Sequence, residues 1–312
     1  MRIVFMGTPD FSVPALKQLI SSEHEIVAVY TQPDSLAGRG RTPTPPPVKR
    51  VAQDHGLRVF QPERLGDEVE IERLVSLNPD AIAVAAFGQM LPQAVLDIPH
   101  FGCLNVHPSL LPRYRGASPI ASAILAGDEE TGVTIMLRDA GMDTGPVLSQ
   151  KRVPIDSDDT TESLGAKLAQ VGADLLIETL PEWVEHRLVP QPQKEGEATC
   201  TKPISKSDGE IDWNLPAVEL GRRVRAFYPW PGCYTRWQGK TFKILDAVAL
   251  SLSEEMEPGM VVSLPAEPET PVGVGTGEGI LGLRRIQLEG KRAMSAEEFL
   301  RGQREFIGQR LG

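Results

Sequence analysis

Along residues 1–137, short apolar runs alternate with stretches in which apolar residues recur every three or four positions. The runs at 3–6, 26–30, 58–60, 81–85, 103–106 and 133–137 predict strands, and residues 66–77 and 118–127 predict helices. The run Ala81-Ile82-Ala83-Val84-Ala85-Ala86 has no polar alternation, as expected of a strand covered on both faces. Strands alternating with helices predict an α/β fold around a doubly wound, mostly parallel sheet, which binds ligands at the carboxyl ends of its strands. A long helix is expected over 160–183, where Leu164, Leu168, Val171 and Leu175 share one face and Asp159 and Glu162 form a capping-box pattern. The polar, proline-bearing stretch 189–206 reads as a linker. Beyond it come one helix, 217–226, and short strands at 234–237, 241–245, 259–263, 279–283 and 285–288, the texture of a small β-barrel of the OB-like kind. The expected division is therefore a catalytic domain at 1–188, a linker at 189–206 and a barrel domain at 207–312.

Length and composition agree with this division and exclude several functions. A chain of 312 residues is about twice the usual domain size. The longest charge-free stretch, 81–96, is broken by Gly88, Gln89, Pro92 and Gln93, so no membrane span is expected. The start reads as a strand rather than a signal peptide. Three cysteines, Cys103, Cys200 and Cys233, lack paired or metal-type spacing, which fits a reducing cytoplasm. None of the five histidines forms an i, i+4 pair, so no metal is expected. Gly277-Glu278-Gly279-Ile280-Leu281-Gly282 matches a dinucleotide fingerprint but precedes a predicted strand rather than a helix, so no nicotinamide cofactor is expected either. A formal charge of −10 argues against a globally basic nucleic-acid binder, and a polyanion would need a local basic stripe. The protein is expected to be a cytoplasmic monomer with no membrane partner.

Chemistry concentrates in two segments. In Asn105-Val106-His107-Pro108, residues two apart on a strand share a face, so Asn105 and His107 project together where such sheets hold ligands. The second segment is the glycine-flanked loop Asp139-Ala140-Gly141-Met142-Asp143-Thr144-Gly145-Pro146. An amide donor, an imidazole and a carboxylate with no neighbouring Ser or Cys nucleophile suit direct acyl transfer between two bound substrates. From residue types alone, Asn105 as a turn residue, His107 as a satisfied loop residue and Asp143 as a turn cap fit equally well.

The string Asn-Val-His-Pro-Ser-Leu-Leu-Pro at 105–112, followed by Arg115-Gly116-Ala117-Ser118-Pro119-Ile120 and Met142-Asp143-Thr144-Gly145-Pro146, resembles the signature of the folate-dependent formyltransferases. The likeness runs nearly end to end. Phe5-Met6-Gly7-Thr8-Pro9-Asp10-Phe11, the loop around Thr31-Gln32-Pro33-Asp34 and 37–41, and Arg225-Ala226-Phe227-Tyr228-Pro229-Trp230-Pro231-Gly232 resemble the members that act on tRNA. The resemblance implies transfer of a formyl group from 10-formyltetrahydrofolate, as co-substrate, to the free amino group of initiator methionyl-tRNA, for translation initiation. It also implies a second domain of OB-like build. It places the catalytic residues at Asn105, His107 and Asp143 and the folate contacts at Ser109, Leu110, Leu111 and Pro112. Phe87, Gly88, Gln89, Met90 and Leu91 would border the pterin pocket. Residues 33–50 hold Arg39, Arg41, Lys49 and Arg50 against the single acid Asp34. In the family this loop engages the acceptor stem, with the arginine at position 39 entering it. Lys202, Lys206, Arg222, Arg223 and Arg225 are further candidates for phosphate contact, and a solvated surface explains them equally well. Relatives that formylate an amino sugar nucleotide or glycinamide ribonucleotide, and hydrolases that release formate, share the Asn/His/Asp pattern without needing the basic loop. A non-catalytic RNA-binding protein would not need the intact trio.

Overall fold

The computed structural model describes residues 1–37, 42–251, 256–265, 267 and 270–312. They fall into two compact units. The first comprises Met1–Pro119, Glu130–Pro154 and Gly165–Thr201; the second comprises Ile120–Glu129, Ile155–Leu164 and Lys202–Gly312.

In chain order the elements begin with β1 (Arg2–Gly7), α1 (Val13–Ser21), β2 (Glu25–Tyr30), β3 (Ser35–Ala37), β4 (Thr42–Thr44), α2 (Pro47–Asp54) and β5 (Val59–Phe60). They continue with α3 (Glu68–Leu77), β6 (Ala81–Ala85), α4 (Gln93–Leu96), β7 (Cys103–His107), β8 (Arg115–Gly116) and α5 (Pro119–Ala126). Next come β9 (Glu130–Leu137), β10 (Val147–Pro154), α6 (Thr161–Val184) and β11 (Cys200–Thr201). Seven strands form the main sheet, in the order β10-β9-β7-β6-β1-β2-β5. β5, β2, β1, β6 and β7 run parallel, whereas β9 is antiparallel to both β7 and β10. Every residue of β6 and β7 is buried, which is why their sequences lack a polar face. One side of the sheet is filled by Val4, Met6, Tyr30, Ile82, Val84 and Phe87, closed by Leu74 from α3 and Val95 from α4. On α6, Gly172 lets the helix approach the sheet: a Cβ there would stand 2.6 Å from Val106 Cγ1 and 3.2 Å from Val133 Cγ1.

The second unit adds α7 (Ala217–Ala226), β12 (Cys233–Trp237), β13 (Lys240–Leu250), β14 (Val261–Ser263), β15 (Val272–Gly275), β16 (Ile280–Leu288), β17 (Met294–Ser295) and α8 (Ala296–Gly302). Its antiparallel sheet runs β12-β13-β16-β15-β14, with β17 on β16. Register shifts between Ile244, Asp246 and Ala247 mark irregular pairing of β13 with β16, the kind of insertion that bends a strand and curls its sheet. The core beneath is aromatic: Trp237, Phe242, Phe299 and Phe306 meet mostly edge to face, the Trp237 and Phe306 centroids 5.2 Å apart.

Several elements differ from expectation. β10 was not anticipated, because half of its residues are exposed and its sequence carries Gln150, Lys151 and Arg152, as suits an edge strand. The runs at 279–283 and 285–288 are one strand, β16, and β15 lies in a Val-Gly-Val-Gly stretch too short to signal itself. Within 189–206, residues up to Thr201 belong to the first unit, where Gln191 bridges to Val147 and β11 pairs with β8.

Gly172→Ala tests the packing. Alanine gains about 1 kcal/mol of helix propensity, but overpacking a tight core costs typically 1–3 kcal/mol, and Val106 has little room to move. A net loss of about 1 kcal/mol is expected in urea unfolding of the full chain.

Candidate functional site

β7 ends at the site. Asn105 pairs with Val84 on one side and Met136 on the other, and His107 lies opposite Thr134. The strand's period of two sends both side chains to one face, and both are buried, at 5% and 4% exposure. Asp143, 7% exposed, arrives from the loop between β9 and β10. The structure thus brings the three predicted catalytic residues together. His107 Nδ1 stands 3.7 Å from Asp143 Oδ2. On the other side of the ring, Nε2 lies 3.0 Å from the Tyr114 carbonyl. A carbonyl only accepts, so this contact assigns a proton to Nε2 and leaves Nδ1 facing the carboxylate. Asp143 Oδ2 also accepts the Gly116 N–H at 2.9 Å.

Burial pushes the His107 pKa below its ordinary value of 6.5; Asp143 and the Tyr114 carbonyl oppose the shift, and Arg138 adds to it. The imidazole is therefore neutral near pH 7, with one open nitrogen, Nδ1. Among the described residues the Asn105 side chain makes no hydrogen bond, so its amide donors are available to a ligand.

These residues line a cavity of about 420 Å³, a size ordinary for small-molecule sites. Phe87, Gly88, Gln89 and Met90 of the predicted pterin border form one wall. That wall is fixed. The Phe87 carbonyl accepts from Thr8 Oγ1 at 2.8 Å and Gln32 Nε2 at 3.2 Å, while the Gln89 side chain is spent on Leu65 N and the Pro62 carbonyl. Leu91, expected with them, lies in the core, 3% exposed. Ser109, Leu110, Leu111 and Pro112 do not line this cavity. Ser109 Oγ donates to the Arg113 carbonyl at 2.6 Å, Leu111 N donates to Thr134 Oγ1 at 3.1 Å, and Gln150 Nε2 donates to the Leu111 carbonyl at 2.9 Å. This segment braces the turn after β7. Sequence reasoning missed Arg138 and Met142 as lining residues and Tyr114 as the imidazole's partner. Arg138 carried only one signal, its place just past the end of β9.

Of the predicted RNA contacts, Arg39 and Arg41 lie outside the described residues. Lys49 Nζ is held by Asp34, 2.7 Å from Oδ1. Lys202 and Lys206 are exposed, and Lys206 borders a cavity with Arg236 and Lys243. Arg223 pairs with Glu219 at 3.2 Å. Arg222 donates to the Ala126 carbonyl at 3.4 Å and, with Arg225, Arg284 and Arg285, lines a cavity of about 680 Å³ in the second unit. Among the described residues no group of three or more His, Cys, Asp or Glu is placed to hold a metal, and no helix is long and apolar enough to cross a membrane.

Residues 1–180 match the formyl transferase family, and residues 203–304 match the formyl transferase C-terminal domain. The chain is 49% identical to the methionyl-tRNA formyltransferase of Dehalococcoides mccartyi, over 100% of this chain and 99% of that one. It is 48% identical to the methionyl-tRNA formyltransferase of Methylococcus capsulatus, with 100% of each chain covered. Among solved structures, HypX of Aquifex aeolicus in complex with tetrahydrofolic acid superimposes with a TM-score of 0.65 at 21% identity. That match covers 98% of this chain and 47% of HypX, so the chain spans about half of HypX, and the likeness extends to the fold alone. With both halves matched and near-half identity from end to end, the chain belongs to the formyl transferase family, where it groups with the methionyl-tRNA formyltransferases.

Proposed function

We propose that the protein carries a formyl group from 10-formyltetrahydrofolate to the α-amino group of methionine esterified to initiator tRNA. Formylation of methionyl-tRNA is the activity of the family branch to which the chain belongs, and a folate-derived donor is the donor of that family. One observation carries the assignment of residues: an unengaged Asn105 amide and a neutral, buried His107 with Nδ1 beside Asp143 share a single cavity.

The reaction then runs as follows. The methionyl amine, whose pKa lies near about 8, is neutral in roughly a fifth of molecules at physiological pH, and that fraction attacks. Its lone pair forms the new C–N bond at the formyl carbon, and the carbonyl electrons move onto oxygen. The Asn105 amide donates to that oxyanion. His107 Nδ1 takes the proton released by the attacking nitrogen, and Asp143 stabilises the imidazolium that results. Collapse of the oxyanion breaks the bond to folate N10, which receives the proton from Nδ1. No proton is gained or lost overall. Burial keeps His107 in its accepting form, and the fixed wall at 87–90 holds the donor ring. Alignment of two large substrates contributes up to roughly 7–11 kcal/mol where geometry is ideal.

Ser109, Leu110, Leu111 and Pro112 remain the proposed folate-contacting segment on the strength of the resemblance, beside the cavity rather than in it. Arg39, Arg41, Lys49, Lys202, Lys206, Arg222 and Arg223 remain the proposed RNA contacts, with no metal and no nicotinamide required.

Incubation with 10-formyltetrahydrofolate and methionylated initiator or elongator tRNA, with formylmethionine quantified, tests the reading. Formylation should strongly favour the initiator, and Asn105→Ala should lower kcat by about 10²–10³, the usual cost of one oxyanion donor. Full rate in the variant would remove Asn105 from the mechanism. The pH profile gives a second test. The amine and His107 must both be neutral, so kcat should fall on the acid side first with the amine, at about 8, and more steeply through a second, His107 midpoint below 6.5. Asp143 favours the protonated ring, so Asp143→Asn should move that midpoint further down; an upward move would contradict the assignment. Arg39→Ala should impair tRNA-dependent transfer far more than folate binding. It should also shrink the salt slope of tRNA binding by roughly 0.7–0.9, as loss of one phosphate contact requires. An unchanged slope would discard that contact.

A further inference from the structure

Gln193 lies in the polar stretch that the sequence presented as a linker, yet both ends of its side-chain amide are used within the first unit. Nε2 donates to the Asp143 and Gly145 carbonyls, each at 2.8 Å. Oε1 accepts from Arg115 Nε at 2.9 Å. Arg115, 4% exposed, is in turn gripped by Glu195, Nη1 to Oε2 at 3.0 Å and Nη2 to Oε1 at 2.8 Å. The same stretch holds the opposite side of the imidazole. Tyr114 N donates to Thr199 Oγ1 and Arg115 N to the Thr199 carbonyl, both at 2.8 Å, and Thr201 Oγ1 donates to the Arg115 carbonyl at 3.1 Å. Residues 193–201 therefore grip two residues that meet the two nitrogens of His107: Tyr114, whose carbonyl takes Nε2–H, and Asp143, whose carboxylate faces Nδ1.

We propose that Gln193, tied through Arg115 to Glu195, is a positioning residue that fixes the separation of Asp143 from His107 and thereby the rate of formyl transfer. The inference rests on the reading of His107 and Asp143 as the proton-handling pair. The chemistry of the position is specific. Two carbonyls on one side need two N–H donors, and the Arg115 guanidinium on the other needs an acceptor; a primary amide supplies both without a charge. A lysine would donate but not accept, and a carboxylate would face two carbonyl oxygens. Asp143 sits at φ +55°, a conformation that non-glycine residues hold only when their surroundings fix it, and the carbonyl that Gln193 grips belongs to that residue. Release of the grip lets the loop relax and the carboxylate withdraw.

The groups facing His107 are Asp143, which favours its protonation, the Tyr114 carbonyl, which does the same, and Arg138, which disfavours it. Withdrawal of Asp143 thus lowers the pH at which His107 protonates, a change that a merely structural residue would not produce. The full-length enzyme is assayed with 10-formyltetrahydrofolate and methionyl-initiator tRNA across the acid range. Gln193→Ala should lower kcat by about 10- to 100-fold, as sub-ångström to ångström misplacement does, with both KM values within about twofold. The lower, His107 midpoint on the acid limb of kcat should move down. Glu195→Ala, at a side chain 74% exposed, leaves the fold little to lose. It should shift rate and midpoint in the same direction by less, and it carries the test if Gln193→Ala does not fold. Glu197→Ala, at an exposed neighbour paired with Lys194, should match the unmodified enzyme. A lowered melting temperature in Gln193→Ala and Glu195→Ala with unchanged kcat and midpoint, while His107→Ala abolishes transfer, would overturn the positioning role alone. Full transfer by His107→Ala would overturn the underlying assignment, and the positioning role with it.

Discussion

The contact between His107 Nδ1 and Asp143 Oδ2, 3.7 Å long in a buried setting, places two demands on the chain. The ring must have an acceptor for its Nε2 proton, since a buried donor left unmade costs about 1–3 kcal/mol. The carboxylate must also be carried to the ring by a loop rather than by the strand beside it, because the residue paired with His107 on that strand is Thr134. Both demands are met by residues in the left-handed region. Tyr114, which supplies the carbonyl, has φ +59°, and Asp143 has φ +55°. Each such conformation costs roughly 1–2 kcal/mol for an ordinary side chain, more easily borne by Asp than by bulky Tyr. Such strain persists only where surrounding bonds over-determine it. Here the surroundings include Thr199, Gly116 and Gln193, which together bond Tyr114 N, the Asp143 carboxylate and the Asp143 carbonyl. The stability of the first unit and the chemistry of its cavity therefore depend on the same few bonds.

What the sequence revealed and what it hid divide along one line, local against long-range. The parallel sheet was legible because burial on both faces writes itself into uninterrupted runs such as 81–85 and 103–107. Asn105 and His107 were legible as a pair because a strand's period is two. Asp143 was visible only as a carboxylate in a glycine-flanked loop, and its meeting with His107 needed the antiparallel turn of β9 into β10. β10 has no apolar alternation to announce it, since an edge strand with Lys151 and Arg152 is selected to be polar. The stretch 189–206 read as a linker for a related reason. Its packing lies in side-chain bonds to residues roughly fifty to eighty-six positions away, such as Gln193 with Asp143 and Thr201 with Arg115, and no local pattern encodes those. In the second unit, the aromatic cluster of Trp237, Phe242, Phe299 and Phe306 draws together the two ends of the stretch 237–306, which is equally silent in any short window.

The acidic balance of the chain and the proposed RNA substrate are reconciled by distance. At physiological salt a charge is screened within about 8 Å, so a net −10 spread over the surface says little about any one patch. What matters is how each cation is partnered nearby. Lys49 with Asp34 and Arg223 with Glu219 have much of their field cancelled at contact distance. The setting of Arg225 is different. Burial, and then the neighbouring Arg222, hold its pKa below the usual arginine value, although Asp159 and Asp158 pull the other way and its Nη1 is pinned to the Asp159 carbonyl. A guanidinium does not escape by losing its proton. Arg222, Arg225, Arg284 and Arg285 line one cavity in which Asp158 and Asp246 offset part of their charge. An approaching phosphate would relieve the repulsion between Arg222 and Arg225 as well as add its own attraction. An acidic protein can thus engage a polyanion when a few like charges are held together by the fold against their own repulsion, rather than by an excess of base.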